Sequence, residues 1–512
     1  MALARFFQKA ALSAGQAVRT LGQEALATRL RGAMPAVVFD GATAGRQEGR
    51  VALELTVNLL ARLYPQIALA SLDSGADALR DELTALARAI NPEIEVRFDS
   101  GDAHITVAAV SCPLAASSPV VYLGSDGWTA WVGSAEPLPV GDSFIPFGGA
   151  AAACLAVANV FRHFFQSELG GGRLDRSASL SLASMNTGAG SGPSSCDVDL
   201  GEWHLVGAGA VGSAALWALN RASGLRGVLH VVDHEDVDVS NLQRYVLFGD
   251  QDVSASKALA AESMFKDGSL SVRGYRKRWG EYLAERGQWN LDRVAVAVDS
   301  GPARVAVQAS LPRRILNAWT QNGDLGVSRH RFMGEGGCLA CMYLPLEKRR
   351  NEDELIAEAL GVPEAVRDVR ELLHRATGVP RQFLERVALA RQVPLDALLR
   401  FEGRPLRVFH SEGVCGGLLL ALGASDATAA TREAETPLAF QSALAGILLA
   451  AEMVLHGTGA RPDTFPEVTS INLLKRFPDE VTFRRLKTPG GRCLCQDPDY
   501  IARYRRKYEA AS

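Results

Sequence analysis

The chain has 512 residues, 47% of them apolar and 22% charged, and a formal net charge of -3. That length accommodates two or more packed domains, and the near-neutral charge excludes the broad basic surface of a nucleic-acid binder. No apolar run reads as long and charge-free enough to span a membrane, and eight cysteines are too few for a disulfide scaffold, so composition points to a cytoplasmic enzyme.

Residues 1–34 form the first segment. They are rich in Ala and Arg with a single acid, Glu24, a composition shared by transit peptides and amphipathic helices. We read a helix docked on the body through Phe6, Phe7, Leu12, Val18 and Leu21. Residues 35–183 then give a strand at 37–39, a loop at 41–45, a helix at 51–63, a strand at 67–70, a helix at 76–90 and a further strand entered through 91–96. Residues 184–197, SMNTGAGSGPSSCD, read as a linker because they offer almost nothing to bury.

Residues 198–345 restart the same order of elements. A strand ends at 204–206, Gly207-Ala-Gly209-Ala-Val-Gly212 follows, a helix runs over 213–220, and a strand at 229–232 stops before Asp233. A helix around 254–264 and a buried strand at 294–298, ending at Asp299, come next. The repeat of βαβ units predicts an α/β chain made of two tandem doubly wound, Rossmann-like domains. Residues 346–436 are charged and helical in pattern, with breaks at Pro363, Gly378-Val-Pro380 and Pro394, and read as a helical insertion. Residues 437–512 return with an apolar helix at 438–455 and a hairpin from 471–474 and 481–485.

A glycine triplet between strand and helix lets backbone N–H groups approach phosphates at a helix N-terminus. On its own the Gly207, Gly209, Gly212 pattern fits an NAD-dependent dehydrogenase equally well, with Asp233 on the ribose hydroxyls. The next residues separate the two. Asp233-His-Glu235-Asp-Val-Asp-Val-Ser240-Asn241-Leu242-Gln243-Arg244, then Lys257, then Asp299 with Arg304 behind it, resemble the family of ThiF, MoeB, HesA and the ubiquitin-activating enzymes. The resemblance is clear over about 201–304 and in the tail, and degenerate over the N-terminal half.

That resemblance implies ATP-dependent adenylation of the C-terminal carboxylate of a ubiquitin-like protein. The residue types suit the chemistry, since a carboxylate must approach the α-phosphate and both charges need neutralising. Arg244 as a planar fork and Lys257 as a point charge can grip phosphates. Asp299, at a strand's C-terminal end, can hold Mg²⁺; Asp233 can accept from the ribose; Asn241 can orient phosphate or nucleophile. Glu235 stays open between a ribose or metal role and a solvated loop acid. Arg304 stays open between a phosphate role and a helix-surface ion pair.

The resemblance further implies two adenylation folds packed together. Residues 35–183 read as the inactive half, so one chain supplies its own pseudo-dimer. Relatives lend an arginine across the pair, for which Arg46, Arg50, Arg173 and Arg176 are the candidates. Cys338, Cys341, Cys493 and Cys495 form two distant pairs suited to a structural Zn²⁺, the second pair tighter by one residue than the family's usual spacing. Cys415, among glycines in the insertion, is the candidate nucleophile for a thioester ahead of transfer to a conjugating enzyme; the other reading is a loop thiol. Adenylation of a sulfur carrier or peptide without a stable thioester is the alternative. No ubiquitin-like segment or conjugating domain is evident in the sequence, so both are expected on other chains.

Overall fold

The computed structural model describes residues 4–18, 20–169, 173–188, 190–194, 197–266, 268–287, 289–321, 323–344, 352–374, 377–410, 437–476, 481–490 and 493–508. One compact unit comprises residues 1–344 and 436–512, and a second comprises residues 345–435.

The larger unit starts with two helices, α1 (Phe7–Ala17) and α2 (Gln23–Gly32), where one was expected. Gly22 in an extended conformation caps the second and separates it from the first. Phe6, Phe7 and Val18 are buried as expected, whereas Leu12 and Leu21 are half-buried.

The first sheet contains β1 (Pro35–Phe39), β2 (Gln66–Ser71), β3 (Glu95–Arg97), β4 (Ile105–Ala109), β5 (Val120–Asp126), β6 (Thr129–Gly133) and β7 (Ser177–Ser181). Its order is β3-β2-β1-β4-β5-β6-β7, parallel through β5 and antiparallel beyond. β1 is buried at every position, which suits a central parallel strand covered on both faces. The helices are α3 (Gly41–Ala44), α4 (Gln47–Leu63), α5 (Asp77–Ile90) and α6 (Phe147–Phe164). The expected loop at 41–45 is the short α3, whose N-cap Asp40 accepts from the Thr43 amide at 2.8 Å. α4 stops at Leu63 because Tyr64 precedes a proline and turns extended.

The second sheet repeats the plan. It contains β8 (Val198–Val206), β9 (Leu225–Val232), β10 (Leu270–Tyr275), β11 (Arg293–Val296), β12 (Arg314–Gln321), β13 (Asp324–Arg331), β14 (Val468–Ile471) and β15 (Thr482–Phe483). The order β10-β9-β8-β11-β12-β13-β14-β15 is again parallel up to the fifth strand and antiparallel after it. α7 (Ala210–Arg221), α8 (Lys257–Met264), α9 (Trp279–Arg286), α10 (Gly301–Ala309) and α11 (Leu339–Tyr343) accompany it. The chain is thus α/β with two parallel-dominated sheets of the same strand order.

The second unit is a helical cluster: α12 (Glu352–Ala359), α13 (Val366–His374), α14 (Arg381–Arg391), α15 (Leu395–Leu398) and α16 (Leu406–His410). It has its own core, including Ile356, Leu360, Val369, Phe383, Leu384 and Phe409. The helix breaks fall where Pro363, Pro380 and Pro394 put them. Cys415 lies outside the described residues.

The chain returns to the larger unit as α17 (Ala439–Gly457) and finishes with α18 (Pro498–Tyr508). α6 and α17 are each long and apolar enough to cross a membrane by length and composition, contrary to the sequence reading. Both are instead buried inside the fold, where they pack on one another through Phe161 and Phe440, with ring centroids 5.7 Å apart. One continuous apolar core joins both sheets through α4, α6, α7 and α17. The segment 184–197 is less free than expected. Met185 is fully buried, and Trp128 Nε1 donates to the Pro193 carbonyl at 2.9 Å.

Below the second sheet, His204 and His230 stack with centroids 4.8 Å apart. His204 Nδ1 meets the Tyr282 hydroxyl at 3.0 Å and His230 Nε2 meets Glu202 at 2.9 Å. Burial, with His230 and Arg286 as repelling neighbours, pulls the His204 pKa down to about 3. The unfolded chain therefore binds the extra proton first. This site's stability is fully present above about pH 6.5 and falls as pH drops toward 3, by up to about 1.4 kcal/mol per unit. Urea midpoints at pH 7, 6 and 5 should fall more steeply for the native chain than for His204→Gln; equal slopes would exclude this contribution.

Candidate active site

The glycine loop sits between β8 and α7. Gly207 has φ +96°, and a Cβ there would lie 2.8 Å from the Ala297 carbonyl oxygen. A Cβ on Gly212 would lie 2.0 Å from the Gly207 oxygen, so the helix can start this close to the strand only with glycine. Gly209 is different: a Cβ there would meet only the Tyr245 hydroxyl, at 3.8 Å, so the loop is open on that side.

Asp233, just past β9, is buried and binds the loop directly. Its Oδ2 accepts from the Ala208 amide at 2.7 Å and its Oδ1 from the Glu235 amide at 2.8 Å. Asp73 holds the corresponding place in the first sheet, accepting from the Gly41 and Gly75 amides at 2.9 Å each.

Glu235 and Lys257 form an ion pair, Nζ to Oε2 at 2.6 Å. Lys257 is almost completely buried at 1% exposure, so its ammonium must be held by fixed partners. Burial lowers its pKa, but Tyr245, Glu235 and Asp233 more than offset this and the net shift is upward. The Lys257 hydrogen bond, against some desolvation, holds the Glu235 carboxyl below its usual range.

Asp238 caps the single 3-10 turn Val239–Asn241 by accepting from the Ser240 amide at 2.7 Å. That turn presents Asn241, whose Oδ1 accepts from Arg244 Nη2 at 2.9 Å. Arg244 Nη1 is buried without a hydrogen-bond partner among the described residues. Burial lowers the Arg244 pKa, against the pull of Tyr245, Asp299 and Glu235. An orphaned, desolvated guanidinium N–H of this kind fits an anionic group such as a phosphate.

Asp299 is exposed just beyond β11, at the end where parallel sheets bind ligands. Ser300 caps α10 by accepting from the Ala303 amide at 3.3 Å, which fixes the turn containing Asp299. Arg304 is not on the helix surface. It is buried, donates twice to the Val298 carbonyl and once to the Tyr343 hydroxyl, and so braces that turn from behind.

The structure thus brings Gly207, Gly209, Gly212, Asp233, Glu235, Asn241, Arg244, Lys257 and Asp299 to the C-terminal ends of β8, β9 and β11. Sequence reasoning missed Tyr245. Its ring lies 5.0 Å from Lys257 Nζ and 5.6 Å from Arg244 Cζ, a cation–π contact with both cations. Arg46 and Arg50 are used inside the N-terminal half, on the Val140 carbonyl and on Glu82. From the leading segment, the exposed Arg5 reaches the C-terminal half, 3.2 Å from Asp250.

Cys338, Cys341, Cys493 and Cys495 converge in the buried layer beneath α11. All four sulfurs lie within 4.8 Å of one another. Adjacent separations of 3.2 to 3.9 Å bracket the roughly 3.8 Å edge of a tetrahedral zinc–thiolate site. The shortened spacing of the second pair does not prevent convergence, because the single turn Leu494–Gln496 brings Cys495 round beside Cys493.

A glycine loop, a strand-end aspartate and two braced cations define a nucleotide-binding half of the E1-like type. Residues 200–495 match the ThiF family, more than half of the chain, and the chain belongs to that family. Residues 38–166 match Prokaryotic E2 family C, which the sequence reading did not anticipate. The chain is 44% identical over 510 residues to Uncharacterized protein y4jF of Sinorhizobium fredii, covering 99% of this chain and 98% of that protein. It is 31% identical over 112 residues to Ubiquitin-like modifier-activating enzyme 1 of Dictyostelium discoideum, spanning 20% of this chain and 11% of that enzyme. The crystal structure titled E. coli MccB + MccA-N7isoASN aligns at 14% identity with a TM-score of 0.34, over 56% of this chain and 65% of that chain.

Proposed function

We propose that this chain is a cytoplasmic ubiquitin-like modifier activating enzyme. It uses ATP to adenylate the C-terminal carboxylate of a ubiquitin-like protein, then passes the acyl group to Cys415 and on to a conjugating enzyme. The observation that carries the reading is the buried Arg244 Nη1, without a hydrogen-bond partner among the described residues, on the same Tyr245 ring as buried Lys257.

In this reading Asp233 receives the ribose hydroxyls, and Arg244 and Lys257 take the phosphates, Lys257 exchanging Glu235 for phosphate oxygen. A carboxylate oxygen bonds to the α-phosphorus, the bond to the β-phosphate oxygen breaks, and pyrophosphate leaves. Mg²⁺, with Asp299 as its protein ligand, would neutralise the phosphate charge. The Cys415 thiolate then attacks the acyl carbonyl and AMP departs.

The N-terminal half, with the same strand order but no glycine triplet, acts as the inactive partner of a pseudo-dimer. The exposed Arg5 and the neighbouring Lys9, whose charge acts on Asp238, are the basic groups it would lend. The E2-named match over 38–166 supports a ubiquitin-like conjugation setting, and a role in bacterial antiviral defence is a further part of this proposal. A sulfur-carrier or peptide substrate without a stable thioester is the second reading, favoured if Cys415 proves dispensable.

The test is incubation of the full chain with ATP, Mg²⁺ and a candidate ubiquitin-like protein. A thiol-sensitive adduct on a non-reducing gel, lost in both Cys415→Ala and Asp299→Ala, is expected. Pyrophosphate exchange that depends on Asp299 without any adduct would remove the thioester step and leave adenylation.

A further inference from the structure

The loop that presents Arg244 is held by the other half of the molecule. α4, in the first sheet's half, places two polar side chains one helical turn apart, Asn58 and Arg62, and both are buried. Arg62 Nη2 donates to the Phe248 carbonyl at 3.0 Å, and Nη1 donates to the Leu242 carbonyl. Arg62 Nε donates to Asn58 Oδ1 at 2.9 Å, and Asn58 Nδ2 donates to the Val246 carbonyl at 3.0 Å. Three carbonyls are thereby fixed at 242, 246 and 248, on both sides of Arg244 and Tyr245.

Arg62 has no carboxylate partner among the described residues, and only carbonyl and amide oxygens offset its charge. Burial pulls its pKa down to about 9, so it remains a cation at neutral pH. Desolvating an arginine 180 residues away in sequence from Leu242 is a costly way to brace a loop whose own residues Leu242, Gln243, Tyr245, Val246 and Phe248 are already buried. Apolar packing could bury the same helix face but could not fix three carbonyls. The loop continues into a second contact with the same half, where a Cβ on Gly249 would lie 3.1 Å from the Ala89 carbonyl oxygen.

We propose that Arg62, oriented by Asn58, is a positioning residue that sets the phosphate-gripping loop of the C-terminal half from the N-terminal half. The inference rests on the adenylation reading and deepens it. The half without a glycine loop would be required because it pre-shapes the nucleotide site, in addition to whatever basic group it lends. Two parallel donors on one rigid guanidinium span carbonyls that a lysine cannot span together.

The test uses the full chain and Mg·ATP, with calorimetry for affinity and hydrogen exchange for the amides of residues 243–249. Arg62→Met is expected to weaken ATP by about tenfold or more and to speed exchange in that loop by a similar factor. Arg62→Lys should fall between, and Asn58→Leu should show a smaller loss in the same direction. A merely structural role would lower the fraction of binding-competent chains and leave the dissociation constant unchanged, and that result would overturn the proposal. If Arg62→Met does not fold, Arg62→Lys and Asn58→Leu decide on the same readouts. A wild-type chain that binds no ATP would sink the adenylation reading itself. Wild-type binding with an unaltered dissociation constant in the folded variants sinks only the role of Arg62.

Discussion

Replacing Asp299 by alanine is expected to reduce ATP–pyrophosphate exchange by about 10²- to 10³-fold, the scale of removing one fixed electrostatic contact from a phosphoryl transition state. The fold should be indifferent to the change. Asp299 is exposed and makes no side-chain ion pair or hydrogen bond among the described residues, so stability should move by no more than about 0.5 kcal/mol. Arg304→Met supplies the contrast. Arg304 braces the Val298 carbonyl from a buried position, so its loss should lower activity and stability together. Exchange measured beside thermal melting separates the two cases. An Asp299→Ala chain that retains exchange within threefold of the parent would refute a metal-holding role at this strand end. A chain that binds NAD in place of ATP would return the dehydrogenase reading.

The nucleotide half was legible because its signals are local. Three glycines between a strand and a helix, an aspartate closing β9, and Ser240-Asn241-Leu242-Gln243-Arg244 each follow one another along the chain, and their short-range geometry places them at one sheet end. The βαβ boundaries of both halves fell within a few residues for the same reason. The β12–β13 hairpin was missed although Asn322-Gly323 stands between its strands, since Arg314–Gln321 carries Arg, Asn and Gln among its apolar residues and does not read as a strand. Arg62 was invisible because one arginine in an apolar helix ordinarily turns its head to solvent, and only tertiary packing reveals the carbonyls that hold it. The buried setting of Arg304 was hidden for a similar reason, its partner Tyr343 lying 39 residues away. The lent arginine was sought at Arg46, Arg50, Arg173 and Arg176, and the first two are bound within their own half. Their partners Val140 and Glu82 are long-range choices that no local pattern signals.

The second large effect is expected at the cysteine cluster. Purified chain should carry about one zinc, and Cys338→Ser or Cys493→Ser should carry none and melt at a markedly lower temperature, because binding energy in such a site is folding energy. The consequence should extend beyond the tail. Cys341 sits on α11, and the last residue of that helix, Tyr343, receives Arg304 and also Asn317 Nδ2 at 3.3 Å. Arg304 in turn holds the Val298 carbonyl, next to Asp299. Metal loss therefore loosens a chain of contacts that runs from Cys341 through Tyr343 and Arg304 to the strand end that would hold Mg²⁺. On the other side the cluster anchors Cys493 and Cys495 ahead of α18, whose Tyr508 hydroxyl bonds the Leu291 and Leu311 carbonyls at 3.0 and 2.8 Å. Chelation should thus expose the tail to limited proteolysis around 487–508 and lower exchange activity together, with restoration on adding zinc. Proteolysis without loss of exchange would confine the metal to tethering the tail. A chain free of zinc with unchanged melting would remove the structural role altogether.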